Sequence, residues 1–212
     1  MLRLPLFPLG VVLLPSMPLP LHIFEERYKT MIGMCIEEES EFGVVYYDGS
    51  LLSKKGCTAR ITEVLRRYED GRMDILTIGQ RRFTIEARYD EKPFLEADVS
   101  FFADQEEPLD DSVADLVERG ISKLGELARL GERELDTKAL KLLGLSVLSF
   151  VIAGNDEFTM AEKQQFLEMT STKQRLEKGL VSLDILIERV RASAAIKKLI
   201  DGNGHFHDFF KK

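Results

Sequence analysis

Leu2-Arg-Leu-Pro5-Leu-Phe7-Pro8-Leu-Gly10-Val11-Val12-Leu13-Leu14-Pro15-Ser-Met17-Pro18-Leu-Pro20-Leu-His22-Ile-Phe24-Glu25-Glu-Arg27-Tyr28 is apolar almost throughout, yet five prolines divide it. Proline fixes φ and has no N–H, so neither a helix nor a central strand runs through the stretch. It reads as two short extended pieces, 2–7 and 18–24, joined by an ordered apolar loop. Beyond Phe24 the prolines stop, and Glu25 and Glu26 open a helix where acidic side chains suit the positive end of the dipole. A segment this apolar requires a large surface to pack against, and the strands that follow would supply it.

The helix covers 25–40, with Tyr28, Met31, Ile32, Cys35 and Ile36 at helical spacing and Glu37, Glu38 and Glu39 as its solvated end. Phe42–Tyr47 is a strand rich in β-formers, and Asp48-Gly49 turns the chain. Residues 51–56 read as a loop and 57–68 as a longer strand, whose alternation slips near 62–64 as at a bulge. Asp70-Gly71 is the clearest hairpin signal, because Asp-Gly supplies the positive φ of a tight turn. The return strand is 72–79. Segments 82–89 and 95–101 alternate cleanly between apolar and polar residues, the pattern of antiparallel strands with one wet face. Several short strands separated by turns predict a small barrel or sandwich.

The period then changes. Residues 104–111 are polar and acidic and contain Pro108, which marks a domain boundary. Ser112 is placed to cap a helix reaching Leu130, and Asp136 to cap another. Residues 140–153 are apolar nearly all round, as in a buried central helix, which Gly154 ends. Thr159-Met-Ala-Glu162 and Ser171-Thr-Lys-Gln174 have the spacing of capping boxes. In the last helix, running to Ile200, Leu176, Leu180, Leu183, Ile187, Val190 and Ala194 form a narrow seam. The seam is too short to argue for a coiled coil and predicts packing within the chain. The fold class is therefore α+β. A small antiparallel barrel or sandwich is expected over 1–103 with one helix at 25–40, 104–111 as a linker, 112–200 as an α-helical bundle, and 201–212 as a loose tail.

Apolar content of 44% and charged content of 31% are those of a soluble globular protein. No apolar run nears the roughly 20 residues that span a bilayer. The N-terminus imitates a signal peptide, but prolines break its apolar core and no small-x-small site follows. With two cysteines, Cys35 and Cys57, there is neither a disulfide framework nor a metal pattern, which points to the reducing cytoplasm. Cys35 lies on the apolar face of its helix, whereas Cys57 follows Lys54 and Lys55, neighbours that can lower a thiol pKa. His22 reads as a packed or hydrogen-bonded imidazole, and His205 and His207 are two metal ligands without a third. No phosphate-cradling loop or nucleophile elbow occurs, so no catalytic residue, cofactor or metal is expected.

Two stretches carry candidate binding surfaces. Val11, Val12, Leu13, Leu14 and Met17 in the apolar loop would, if exposed, bind unfolded or extended polypeptide. Residues 54–88 hold nine Lys and Arg against five acids, inside a chain of net charge −7. There Arg66, Arg67, Arg81 and Arg82 would form an anion or RNA surface. The plainer reading of that imbalance is the polar faces and tips of strands, where basic residues discourage edge pairing, and the chain's own field opposes polyanions. A folded protein partner is a further possibility, and the oligomeric state is left open.

The order Leu4-Pro-Leu-Phe-Pro-Leu9, Leu14-Pro15-x-x-Pro18-Leu19 and Ile23-Phe24-Glu25-x-Arg27-Tyr28 resembles the opening of the Lon protease N-terminal domain family, above all its stand-alone bacterial members. Gly56-Cys-Thr-Ala-Arg60-Ile, Tyr68-Glu-Asp-Gly71-Arg, Ile78-Gly79-Gln-Arg-Arg-Phe83 and Lys163 through Leu176 continue the match over nearly the whole chain. The resemblance implies a barrel of the pseudouridine-synthase-and-archaeosine-transglycosylase-like (PUA-like) type followed by a helical bundle. It implies substrate recognition without ATPase or peptidase activity, since in Lon those reside in later domains. The motif positions it carries over are Pro5, Phe7, Pro8, Pro15, Pro18, Phe24, Glu25, Arg27, Tyr28, Gly79 and Phe83, read as architectural. Glu25 and Arg27 are expected as a buried ion pair tying the helix to the barrel.

Overall fold

The computed structural model describes residues 2–108, 110–155 and 158–202. Among them are six strands, β1 (Leu2–Leu9), β2 (Pro18–Ile23), β3 (Phe42–Tyr47), β4 (Leu52–Arg67), β5 (Met73–Tyr89) and β6 (Glu96–Phe102). The six helices are α1 (Glu26–Glu37), α2 (Asp111–Leu130), α3 (Thr137–Lys141), α4 (Leu145–Ala153), α5 (Met160–Glu168) and α6 (Thr172–Gly202). The fold is α+β, a mixed sheet followed by helices, and one helix, α1, lies among the strands.

The sheet runs β2-β5-β4-β3-β1-β6, and β6 pairs with β5 as well as β1. It is not wholly antiparallel, as the alternation suggested. β1 and β3 are parallel, with Leu6 beside Gly43 and Leu9 beside Tyr46. The reason is the connection: loop, β2 and α1 intervene, and a long crossover containing a helix returns the chain in the same direction. The 70–71 hairpin forms where expected, with Gly71 at φ +80°. The expected loop at 51–56 is instead the start of β4, paired with β3 from Leu52 onward. The expected break between 79 and 82 is a register shift inside β5, opposite Cys57 and Ala59. Thr58 Oγ1 accepts from the Arg81 N–H at 3.0 Å and so satisfies a donor the ladder loses there.

The main core joins the sheet to the helices. Phe7, Leu14, Met31 and Ile75 belong to the same buried cluster as Leu116, Ile152, Phe166 and Leu183. Phe7 and Tyr28 stack with ring centroids 4.0 Å apart, fixing α1 on β1. A second, smaller cluster consists of Leu4, Leu6, Val45, Phe83, Ala97 and Val99. Both thiols are buried and unpaired. Burial pushes the Cys57 thiol up to about 12, so the neighbouring lysines do not activate it.

The helix caps agree with the sequence reading at Asp136, Thr159 and Ser171, and the helices depart from it elsewhere. Asp110, not Ser112, caps α2, accepting from the Val113 N–H at 3.1 Å. Asp136 caps α3, and Thr159 and Glu162 form the reciprocal capping box of α5. The apolar run 140–153 is two helices, because the chain turns at 142–144, leaving Leu142 88% exposed and Gly144 as the N-cap of α4. At the start of α6, Ser171 Oγ accepts from the Gln174 N–H at 3.0 Å. The seam of α6 is buried from Leu176 to Ile187, but Ala194 is exposed with the rest of 191–196. The two histidines predicted in the tail lie outside the described residues.

Candidate functional site

The loop between β1 and β2 organises the surface. At Gly79 on β5 it comes against the strand backbone: a Cβ there would lie 2.2 Å from the Leu14 carbonyl oxygen. Only glycine admits that approach. Two backbone hydrogen bonds pin the loop, from the Ser16 N–H to Gly79 O at 2.8 Å and from the Gly79 N–H to Met17 O at 3.0 Å. Ser16 takes φ 63° to make the turn. This geometry drives Leu13 and Leu14 into the core, at 3% and 2% exposure, where they cannot form the floor of a binding surface. Val11, Val12, Pro15 and Met17 stay partly exposed.

Met17 lines a groove of about 390 Å³ shared by α2, α4 and α6. Leu124, Leu127, Leu135, Val151 and Val190 supply its apolar wall, with Arg133, Glu134 and Asn155 also lining it. On the other side of the loop, Pro15 borders a second cleft, of about 350 Å³, with Gln80, Arg81, Arg82, Phe101, Phe102, Asp104, Ser146 and Phe150. The same loop and the same helix, α4, thus border both.

Behind the second cleft lies a charge cluster that sequence reasoning missed. Asp104, placed in the stretch read as a linker, receives two arginines. Arg175 donates to its two oxygens at 2.9 and 2.7 Å, and Arg82 donates from Nη2. Ser146 and Thr172 add hydroxyl donors at 2.6 and 3.1 Å. Arg82 Nη1 donates further to the carbonyls of Leu167 and Met169, Arg175 Nη1 to that of Met169, and Arg175 Nε to Ser149 Oγ. Arg175 is fully buried and Arg82 is 4% exposed. Burial works to raise the Asp104 pKa, but the hydrogen bonds of Arg175 and Ser146 and the charges of both arginines outweigh it and lower the carboxyl to about 2. Burial and the Arg175 charge depress the Arg82 guanidinium despite Asp104. The Asp104 carboxylate thus ties the junction to β5, α4 and α6, and Arg82 adds α5 through the Leu167 carbonyl. The sequence signal for Arg175 was its phase: it falls on the inward stripe of α6 with Gly179, Leu183 and Leu186, where a cation needs a buried partner.

The four arginines expected as one surface are not brought together. Arg66 lies over the Tyr68 ring at 4.6 Å, and Arg67 is exposed near the hairpin. Arg81 pairs with Glu41 at 3.1 Å and lies 4.0 Å over Phe101. Arg82 is inside. Asp74, which pairs with Arg66, is eight residues from Arg82 along β5, roughly 25 Å of strand. The Glu25–Arg27 pair is also not as expected. It closes at 2.8 Å between neighbours on α1's first turn, with side chains 41% and 50% exposed, and ties nothing to the sheet. Phe24 is 60% exposed, Phe83 is fully buried, and Pro5, Pro8 and Pro18 sit in strands β1 and β2. Prolines at 18 and 20 deprive the β2 edge of two N–H donors.

The scaffold is a mixed sheet packed against helices, with an apolar groove beside a pinned loop. This chain belongs to the ATP-dependent protease La (LON) substrate-binding domain family, whose model matches residues 3–185. It is 25% identical over 206 residues to "Lon protease 1" of Hydrogenovibrio crunogenus, covering 90% of the chain and 25% of that protein. It is 27% identical over 227 residues to "Lon protease 2" of Herpetosiphon aurantiacus, covering 99% of the chain and 27% of that protein. The chain thus spans about a quarter of the length of these relatives. Two solved structures share the fold. A Lon N-terminal domain protein from Xanthomonas campestris superposes with TM-score 0.64 at 24% identity, covering 85% of this chain and 98% of that one. The N-terminal domain of Mycobacterium avium complex Lon protease gives TM-score 0.66 at 20% identity, covering 85% and 97%. Among the described residues no helix is long and apolar enough to cross a membrane.

Proposed function

We propose that this chain is a non-enzymatic module that binds unfolded or extended polypeptide in the groove beside Met17, acting in the cytoplasm within protein quality control, alone or as an adaptor. The observation that carries it is the groove itself, whose aliphatic wall comes from three helices, the Met17 loop and Leu135 between α2 and α3. Burial of apolar substrate side chains supplies the affinity, and the unbranched thioether of Met17 adapts to different residues. The family supports this reading, because its members are described as substrate-binding domains. The finer architecture belongs to the same proposal: a PUA-like barrel over 1–103, a junction at 104–111 and a helical bundle from 112.

The test is fluorescence anisotropy of a labelled unfolded polypeptide titrated with the protein at low and physiological salt. Saturable binding that persists in salt, and that Met17→Glu weakens severalfold, is expected. Absence of binding, or binding indifferent to Met17→Glu, refutes the reading.

A further inference from the structure

Arg175 and Arg82 share Asp104 but differ in one respect. Arg175 engages Nε, Nη1 and Nη2 with protein acceptors throughout. Arg82 gives both Nη1 hydrogens to carbonyls and one Nη2 hydrogen to Asp104. A guanidinium carries five N–H donors, so Nε–H and one Nη2–H of Arg82 meet no acceptor among the described residues. Arg82 is 4% exposed, and the surface it retains borders the cleft at Pro15. The cluster also has two cations for one anion, and of the two arginines it is Arg82 that lines the cleft.

We propose that this cleft seats a carboxylate, the free C-terminal carboxylate of a bound polypeptide, on Arg82 between Phe101 and Phe102. The proposal rests on the polypeptide-binding reading and adds a specificity to it. One carboxylate balances the single excess charge, and its two oxygens match two N–H donors. Phe101, 38% exposed, and Phe102 would receive the terminal residue's side chain. A volume of about 350 Å³ suits a terminal residue rather than a folded surface. The chain's net charge of −7 favours a monoanion over a polyanion.

The test uses the unmodified protein and two labelled peptides of one apolar sequence, ending in a free acid or in an amide, followed by anisotropy. The acid should bind roughly ten- to a hundredfold more tightly, as charge-assisted hydrogen bonds imply. Phe101→Asp, at an exposed position, should abolish that preference by placing a second anion at the mouth. Equal binding of acid and amide overturns this inference and leaves the polypeptide-binding reading standing, whereas no binding of either overturns both. A preference that survives Phe101→Asp, or displacement of the acid peptide by a short single-stranded RNA at equal concentration, also overturns it.

Discussion

Replacing Gly79 by alanine tests how the N-terminal loop is held. The new Cβ would stand 2.2 Å from Leu14 O, whereas a C···O contact needs roughly 3.3 Å. The carbonyl lies in backbone, so no side-chain rotation relieves it, and the loop must shift by about 1 Å. Overpacking of this kind costs about 1–3 kcal/mol. The shift also strains the two hydrogen bonds between Gly79 and residues 16 and 17, each worth about 0.5–1.5 kcal/mol. Together these give a loss of about 2–6 kcal/mol, or a fall in Tm of roughly 4–24 °C for a domain of this size. Gly10→Ala is the control, because a Cβ there meets nothing within 4 Å. The assay is thermal unfolding by circular dichroism, together with peptide binding, since Met17 moves with the loop. Gly79→Ala melting within about 2 °C of the parent would refute the account of a loop pinned by close backbone approach.

Three other outcomes follow from the charge cluster and the core. Asp104 titrates near 2 when folded against 3.8 for the free group, so its contribution is complete above pH 4 and disappears as pH falls toward 2. The shift is worth about 2 kcal/mol, and urea unfolding between pH 5 and 2 should show that slope in the parent but not in Asp104→Asn. Asp104→Ala leaves two buried guanidinium groups without a carboxylate and should cost about 3–5 kcal/mol, whereas Arg175→Met leaves Arg82 and Asp104 as a neutral pair and should cost less. The reverse order in urea denaturation would contradict the shared-carboxylate geometry. Cys57, fully buried with its thiol pushed up to about 12, should resist a thiol reagent at pH 8 until the protein unfolds. Rapid labelling of Cys57 in the native state would place that strand nearer solvent.

Local chemistry was legible where a short segment carries its own constraint. Phe42–Tyr47, the Asp70-Gly71 turn, the Asp136 cap and the Thr159–Glu162 box each depend on residues a few positions apart. The features that position the candidate site do not. Alternation shows which side of a strand is buried but not its neighbour, so the parallel β1–β3 pair was hidden behind a crossover. The apolar run at 140–153 carried no period to reveal the turn at Leu142–Gly144. Leu13 and Leu14 looked the same as exposed apolar residues until Gly79, more than sixty positions away, drew their backbone onto the sheet. Asp104 resembled a linker acid because its partners are 22 and 71 residues distant. Arg82 was counted with a basic surface for the same reason, since its burial depends on carbonyls from α5 and beyond.

The most direct test of the groove uses the chain's lack of tryptophan. Met17→Trp places a single indole at the half-buried groove position, where its emission reports on burial. Titration with an unfolded, tryptophan-free polypeptide should give a saturable blue shift at the concentrations that saturate anisotropy. Unchanged emission while anisotropy still reports binding would put the polypeptide elsewhere on the molecule and contradict the account.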